Sequence, residues 1–158
     1  MFRKMARLKQ QLDESECIEL LKKEKRGVLS VLGDGGYPYG MPLNHFYHEE
    51  DGKIYFHSGK HGHKIDAIKA HDRVSFCVYD EGYREEGDWA LHIKSVIVFG
   101  RIEFVEDRAK IEDIAAKLSR KFTDDEAYIR HEIKHSGPAT LMFALVPEHL
   151  TGKIVEES

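Results

Sequence analysis

The stretch Lys53–Asp66, K-I-Y-F-H-S-G-K-H-G-H-K-I-D, carries most of what the chain says about its own fold. Ile54–His57 has strand character, Ser58–Gly62 is a loop of small, basic and hydroxyl residues, and a helical run begins near His63. A strand feeding a helix through such a loop is the layout of an anion cradle. The first turn of a helix offers unpaired N–H groups and the positive end of its dipole before any side chain contributes. Ser58, His63 and Lys64 add donors and charge, and Gly62 allows close backbone approach.

Outward from that stretch, the pattern is mostly β. Asp13 and Glu16 form a capping box for a short amphipathic helix that Gly27 closes. A buried strand, G-V-L-S-V-L-G, follows over Gly27–Gly33, then a turn at Asp34-Gly35-Gly36 and a second strand over Tyr39–His48. Asp51-Gly52 is a hairpin signal leading into the third strand, Lys53–Ser58. After the helix from His63 to His71, Arg73–Asp80 alternates as a fourth strand through Val74, Phe76 and Val78. The fifth starts near Ala90, runs to Val105, and bends at Gly100. Helices open at Asp107 and Asp124, the second ending at Ser136-Gly137-Pro138, and a final strand covers Ala139–Pro147. The expectation is a mainly β fold with peripheral helices, a six-stranded antiparallel sheet closed into a small barrel.

Composition narrows the function. The 158 residues suit one domain, 1–158, able to bury ~70% of the surface its unfolded chain exposes. With 24 Lys and Arg against 28 Asp and Glu, the net charge of −4 disfavours nucleic acid as a partner. Cys17 and Cys77 lack C-x-x-C spacing and read as reduced, buried thiols. The N-terminal residues are too charged for a signal peptide, and no apolar run approaches the ~20 residues that span a bilayer, so no membrane partner is expected and a cytoplasmic location fits best.

Four features bear on chemistry. Pro42 lies inside the second strand, where it cannot donate a ladder hydrogen bond; it marks either an ordinary edge irregularity or a place where the sheet opens to a ligand. There, Met41, Leu43 and Asn44 expose backbone groups suited to the pyrimidine edge of a flavin. His57 is either a structural histidine or a group beside a bound ring, and the cradle next to it favours the second. His131-Glu132-Ile133-Lys134-His135 matches H-E-x-x-H, but its place in the last helical turn among basic residues reads as a solvated helix face, so no metal is assigned. Trp89 either covers a ligand or packs at the surface, and no G-x-S-x-G elbow is present for nucleophilic hydrolysis.

In combination, R-G-V-L-S-V-L-G-D-G-G-Y-P-Y-G-M-P-L-N-H-F-Y, K-I-Y-F-H-S-G-K-H-G-H-K-I-D-A-I, V-S-F-C-V and K-S-V-I-V-F-G-R-I-E-F-V-E-D resemble the pyridoxamine phosphate oxidase-like flavoproteins, nearest the nitroimidazole-resistance (Nim) branch. The likeness spans residues 13–155, including the closing L-T-G-K of Leu150–Lys153. It implies an FMN-binding split β-barrel, a homodimer with FMN in two clefts at the subunit interface. It places Met41, Pro42, Leu43 and Asn44 against the isoalloxazine ring, and His57 and Ser58 along the ribityl and phosphate side. Gly62, His63 and Lys64 then hold the phosphate, while Ser95 and Val96 approach the flavin from the long fifth strand. The resemblance also makes His57 the candidate catalytic residue. His63 stands where arginine is usual in the vitamin-forming oxidases, and no tryptophan- and arginine-bearing segment follows Lys153, which argues against pyridoxamine phosphate as substrate. The implied activity is an FMN-dependent oxidoreductase, nitroreductase-like, passing electrons from a small donor to a flat acceptor such as a nitroaromatic. A non-catalytic flavin-binding or sensing protein and a haem-binding relative on the same barrel are the alternatives.

Overall fold

The computed structural model describes residues 1–157. Its elements, in chain order, are α1 (Glu14–Lys23), β1 (Arg26–Leu32), β2 (Pro38–Asn44), β3 (Phe46–His48), β4 (Lys53–Gly59), α2 (His63–Ala70), β5 (Arg73–Tyr79), β6 (Leu91–Phe104), α3 (Arg108–Ser119), α4 (Glu126–Ser136) and β7 (Thr140–Glu157). All seven strands join one antiparallel sheet in the order β2-β1-β5-β6-β7-β4-β3. Its two edge strands, β2 and β3, are consecutive in the chain and separated only by His45, so the sheet curls until its edges approach at that residue. This is a split barrel, mainly β with peripheral helices, as expected.

Seven strands replace the six expected because Tyr39–His48 breaks at His45. There the backbone leaves both ladders: its N–H donates to the Lys25 carbonyl at 3.3 Å, and its carbonyl accepts from Lys121 Nζ at 2.7 Å. The imidazole turns wholly inside, its Nε2 2.7 Å from the Leu21 carbonyl. The last strand also runs ten residues beyond Pro147. Pro147 sits opposite Gly100, where the β6–β7 register shifts, so the missing N–H falls in a bulge and the ladder resumes after it. A Cβ on Gly100 would collide with the Val146 carbonyl, which is why glycine occupies the bend.

Alternation along the strands builds the interior. Leu29, Val31, Ile54, Phe56, Val74, Phe76, Val78, Val96 and Val98 point into the barrel, where Phe56 packs edge-on against Phe76 and stacks on Phe143. The opposite face of β4 and β7 is covered as well: Tyr55, Met142 and Ala144 meet Ile114 of α3 in a second, smaller cluster. Because both faces of β4 are roofed, Ile54, Tyr55 and Phe56 are all buried in succession. The Asp13–Glu16 capping box starts α1, with Asp13 Oδ1 accepting from the Glu16 N–H at 2.8 Å. Among the described residues, no helix is long and apolar enough to cross a membrane.

Candidate functional site

The loop between β4 and α2 forms as its composition dictates. Gly62 adopts φ 124°, a conformation that side-chain-bearing residues avoid, and a Cβ there would meet nothing within 4 Å. The loop surface is therefore open above that residue. As N-cap, Gly62 provides no side-chain acceptor for the first turn of α2, which leaves helix N–H groups available to an anion.

Lys64 lies in that first turn, half-buried. Burial lowers its pKa, and no neighbouring carboxylate acts to raise it. A partly desolvated ammonium without a counter-charge is an unfavourable arrangement for the protein alone and a favourable one for an anionic ligand. Ser58 Oγ donates to the Gly59 carbonyl at 2.8 Å, a local bond that an incoming acceptor can replace. His63, the third residue expected to hold the phosphate, also has contacts within the chain. Its Nε2 accepts from the Asp34 N–H at 3.2 Å and its ring stacks on Tyr39 at 4.3 Å, so the imidazole ties the β1–β2 turn to the cradle and only Nδ1 remains to donate outward.

On β2, alternation divides the predicted ring-contacting segment. Met41 and Leu43 pack their side chains against the barrel core, whereas Pro42 is exposed and Asn44 Oδ1 accepts from Arg26 Nε at 3.2 Å. Contacts from Met41 and Leu43 to a ligand outside the barrel would thus come from the backbone. The same holds for Val96, whose side chain is fully buried, while its neighbour Ser95 lies between Tyr79 and Lys153 on the outer side of β6.

His57 lies near the end of β4 on its outer face, opposite Met142 of β7. It lines a cavity of about 440 Å³ bounded by α3, α4 and the β4–β7 surface. Although the residue keeps solvent exposure, the surrounding walls lower its pKa from the ordinary histidine value and the Lys64 cation lowers it further, which favours the neutral ring. A neutral imidazole at this position has one donor and one acceptor nitrogen for the cavity and the cradle beside it.

Residues 13–154 match the family model described as pyridoxamine 5'-phosphate oxidase. The chain belongs to the pyridoxamine 5'-phosphate oxidase family. Solved structures carry the same fold. A protein assigned to 5-nitroimidazole antibiotic resistance from Bacteroides thetaiotaomicron superposes with TM-score 0.74 at 19% identity, over 92% of this chain and 87% of that one. An FAD-binding protein from Mesorhizobium loti gives TM-score 0.66 at 27% identity, over 92% and 97% of the two chains. An FAD- and haem-binding protein from Mycobacterium smegmatis gives 0.71 at 18%, over 92% and 73%. No curated protein matches this member of the oxidase family at a significant level.

Within this oxidase-family fold, the cavity walls supplied by α3 and α4 were missed by reading the sequence. The H-E-x-x-H histidines lie on a solvated face of α4, as the sequence reading has it: His131 and His135 are exposed and stack on each other at 5.7 Å, while Glu132 turns to line the cavity. The available signal was Tyr128, Glu132 and Ser136, three polar residues at i, i+4 and i+8 and so on one helical face. No group of three or more His, Cys, Asp or Glu residues able to hold a metal ion occurs among the described residues.

Proposed function

We propose that this protein binds FMN across the β2–β4 side of the barrel and acts as an oxidoreductase toward a small, flat acceptor such as a nitroaromatic. The observation that carries the reading is Lys64, a half-buried cation with no carboxylate acting on it, in the first turn of a helix whose glycine N-cap leaves the N–H groups free. The residues fit a phosphate monoester: Lys64 neutralises its charge, the α2 amides and Ser58 donate to its oxygens, and Gly62 leaves room for it. Family membership and the flavin-binding designations of the Mesorhizobium and Mycobacterium proteins support a flavin, and the Bacteroides protein supports a nitro compound as acceptor.

Bound flavin supplies the electron transfer, and the chain supplies position and electrostatics. The backbone of Met41–Asn44 presents donors and acceptors to the ring edge. His57, neutral and facing the adjoining cavity, orients the acceptor and is the proton-handling group closest to it in this reading. The reading includes a homodimer. Val28, Tyr79, Ile97 and Phe99 expose 37–62% of their surface on β1, β5 and β6, an apolar face that a second copy would cover, bringing Ser95 and Val96 to the partner's cleft.

The test is Lys64→Ala. The purified wild-type chain should show flavin absorption, with FMN as the species released. The variant should fold normally yet lose FMN at least ~10-fold more readily, since a charge-assisted phosphate contact contributes about 1.5–3 kcal/mol. Full FMN retention by Lys64→Ala at low added flavin would sink the assignment, and a Soret band in place of flavin absorption would select a haem protein.

A further inference from the structure

The cavity beside His57 has a charge pattern that the flavin reading does not use. Its walls are largely apolar, formed by Ile111 and Ala115 of α3, Ile129 and Ile133 of α4, and Met142 of β7. Two of its charged groups cancel: Arg108 Nε lies 3.0 Å from Glu112 Oε1. Lys60 and Glu106 are exposed and solvated. Glu132 differs from all of these. It is partly buried, has no ion-pair partner among the described residues, and receives one hydrogen bond, from Ser136 Oγ to Oε2 at 3.1 Å. A carboxylate is an acceptor with about four lone-pair sites, so most of its capacity is unused by side chains. Tyr128, one turn earlier on the same helical face, puts an aromatic ring at the cavity edge.

We infer that Glu132 is a specificity-determining residue, making this cavity select small flat molecules that carry a positive charge or a strong N–H donor, such as amidines and amino-substituted heteroaromatics. Apolar walls take the ring and Glu132 takes the donor, an arrangement in which a carboxylate-bearing ligand of the same shape is repelled. About 440 Å³ is within the range of small-molecule sites and holds one substituted ring with room for a second. Calling the ligand a substrate rests on the flavin reading, because it is His57 that joins this cavity to the proposed cleft. The binding preference itself does not.

The experiment titrates the purified chain with benzamidine, benzyl alcohol and benzoate, measuring bound flavin by absorbance in the same samples. Benzamidine should bind at least ~10-fold more tightly than benzoate, with benzyl alcohol between them. Glu132→Gln, nearly isosteric and still able to accept from Ser136, should erase the preference for the cation while leaving benzyl alcohol binding and the unfolding temperature in place. Ala115→Leu, which fills the cavity from the facing helix, should weaken all three probes. Equal binding of benzamidine and benzoate, no binding of any probe, or a preference that survives Glu132→Gln would overturn the inference. Selective benzamidine binding by a chain that takes up no flavin would refute the flavin reading alone, and flavin uptake without probe selectivity would refute this inference alone.

Discussion

Mild acid should destabilise this fold chiefly through one buried residue. His45 is fully buried at the corner where β2 passes into β3; its Nε2 faces the Leu21 carbonyl at 2.7 Å, which makes Nε2 the protonated nitrogen, and its Nδ1 has no partner. A second proton would therefore sit on a buried nitrogen with nothing to accept from it. Burial and then the Lys121 ammonium, which donates to the His45 carbonyl at 2.7 Å, push the His45 pKa down to about 3. In the unfolded chain the ring titrates near 6.5. Between those two values the unfolded chain holds a proton that the folded chain excludes, so stability is complete above about pH 6.5 and falls as the pH drops toward 3. From pH 7 to pH 5 the loss from this group amounts to about 2 kcal/mol. His57, whose pKa is also lowered, adds a loss of the same sign that wild type and control share, whereas Lys121, lowered by burial to about 8, stays charged across that range, and Asp51, held at about 2 by hydrogen bonds from Tyr55 and Lys53 against its burial, matters only at lower pH. Urea unfolding at pH 7 and pH 5 measures the effect, with His45→Gln as control because an amide can still donate to the Leu21 carbonyl without titrating. Wild type should lose about 2 kcal/mol more than His45→Gln over the interval. Parallel losses in the two proteins would refute the assignment.

Three further outcomes follow from named contacts. His57→Ala should alter the turnover of a nitroaromatic or the flavin spectrum while shifting stability by less than about 1 kcal/mol, since the ring is open to the cavity; an unchanged rate and spectrum would limit His57 to packing. Ile97→Arg, placing a charge on the exposed apolar face of β6, should convert the proposed dimer to monomer in sedimentation, and an assembly state equal to that of wild type would refute an interface on this face. Gly100→Ala should destabilise the chain by about 1–3 kcal/mol, because the added methyl meets the Val146 carbonyl and the β6–β7 backbones must separate; a neutral melting shift would mean that the bulge relaxes freely.

Much of the fold is written locally. The capping box at Asp13, the alternation of Val74, Phe76 and Val78, and the Asp51-Gly52 turn each act within a few residues, and each forms as its local chemistry requires. The cradle is legible for the same reason, since Ser58, Gly62 and Lys64 fall within seven residues and need only one turn and one helix start to converge. Its internal division of labour is not: His63 pairs with Asp34, 29 residues away, and nothing local to His63 indicates that contact.

What the sequence by itself determined is thus the strand–loop–helix cradle, the antiparallel β character, and family membership through motifs in order. Only the tertiary structure decided where the second strand breaks, how the last strand continues past Pro147, and which face of α4 meets His57. The break at His45 depends on Lys121 and Leu21, and the continuation depends on a bulge at Gly100, 47 residues before the proline. The cavity needs α3 and α4 packed over β4 and β7 at once. Hydrogen-bond and packing partners distant in the chain leave no periodicity in it, so these features exist only after the sheet has curled and the helices have closed over it.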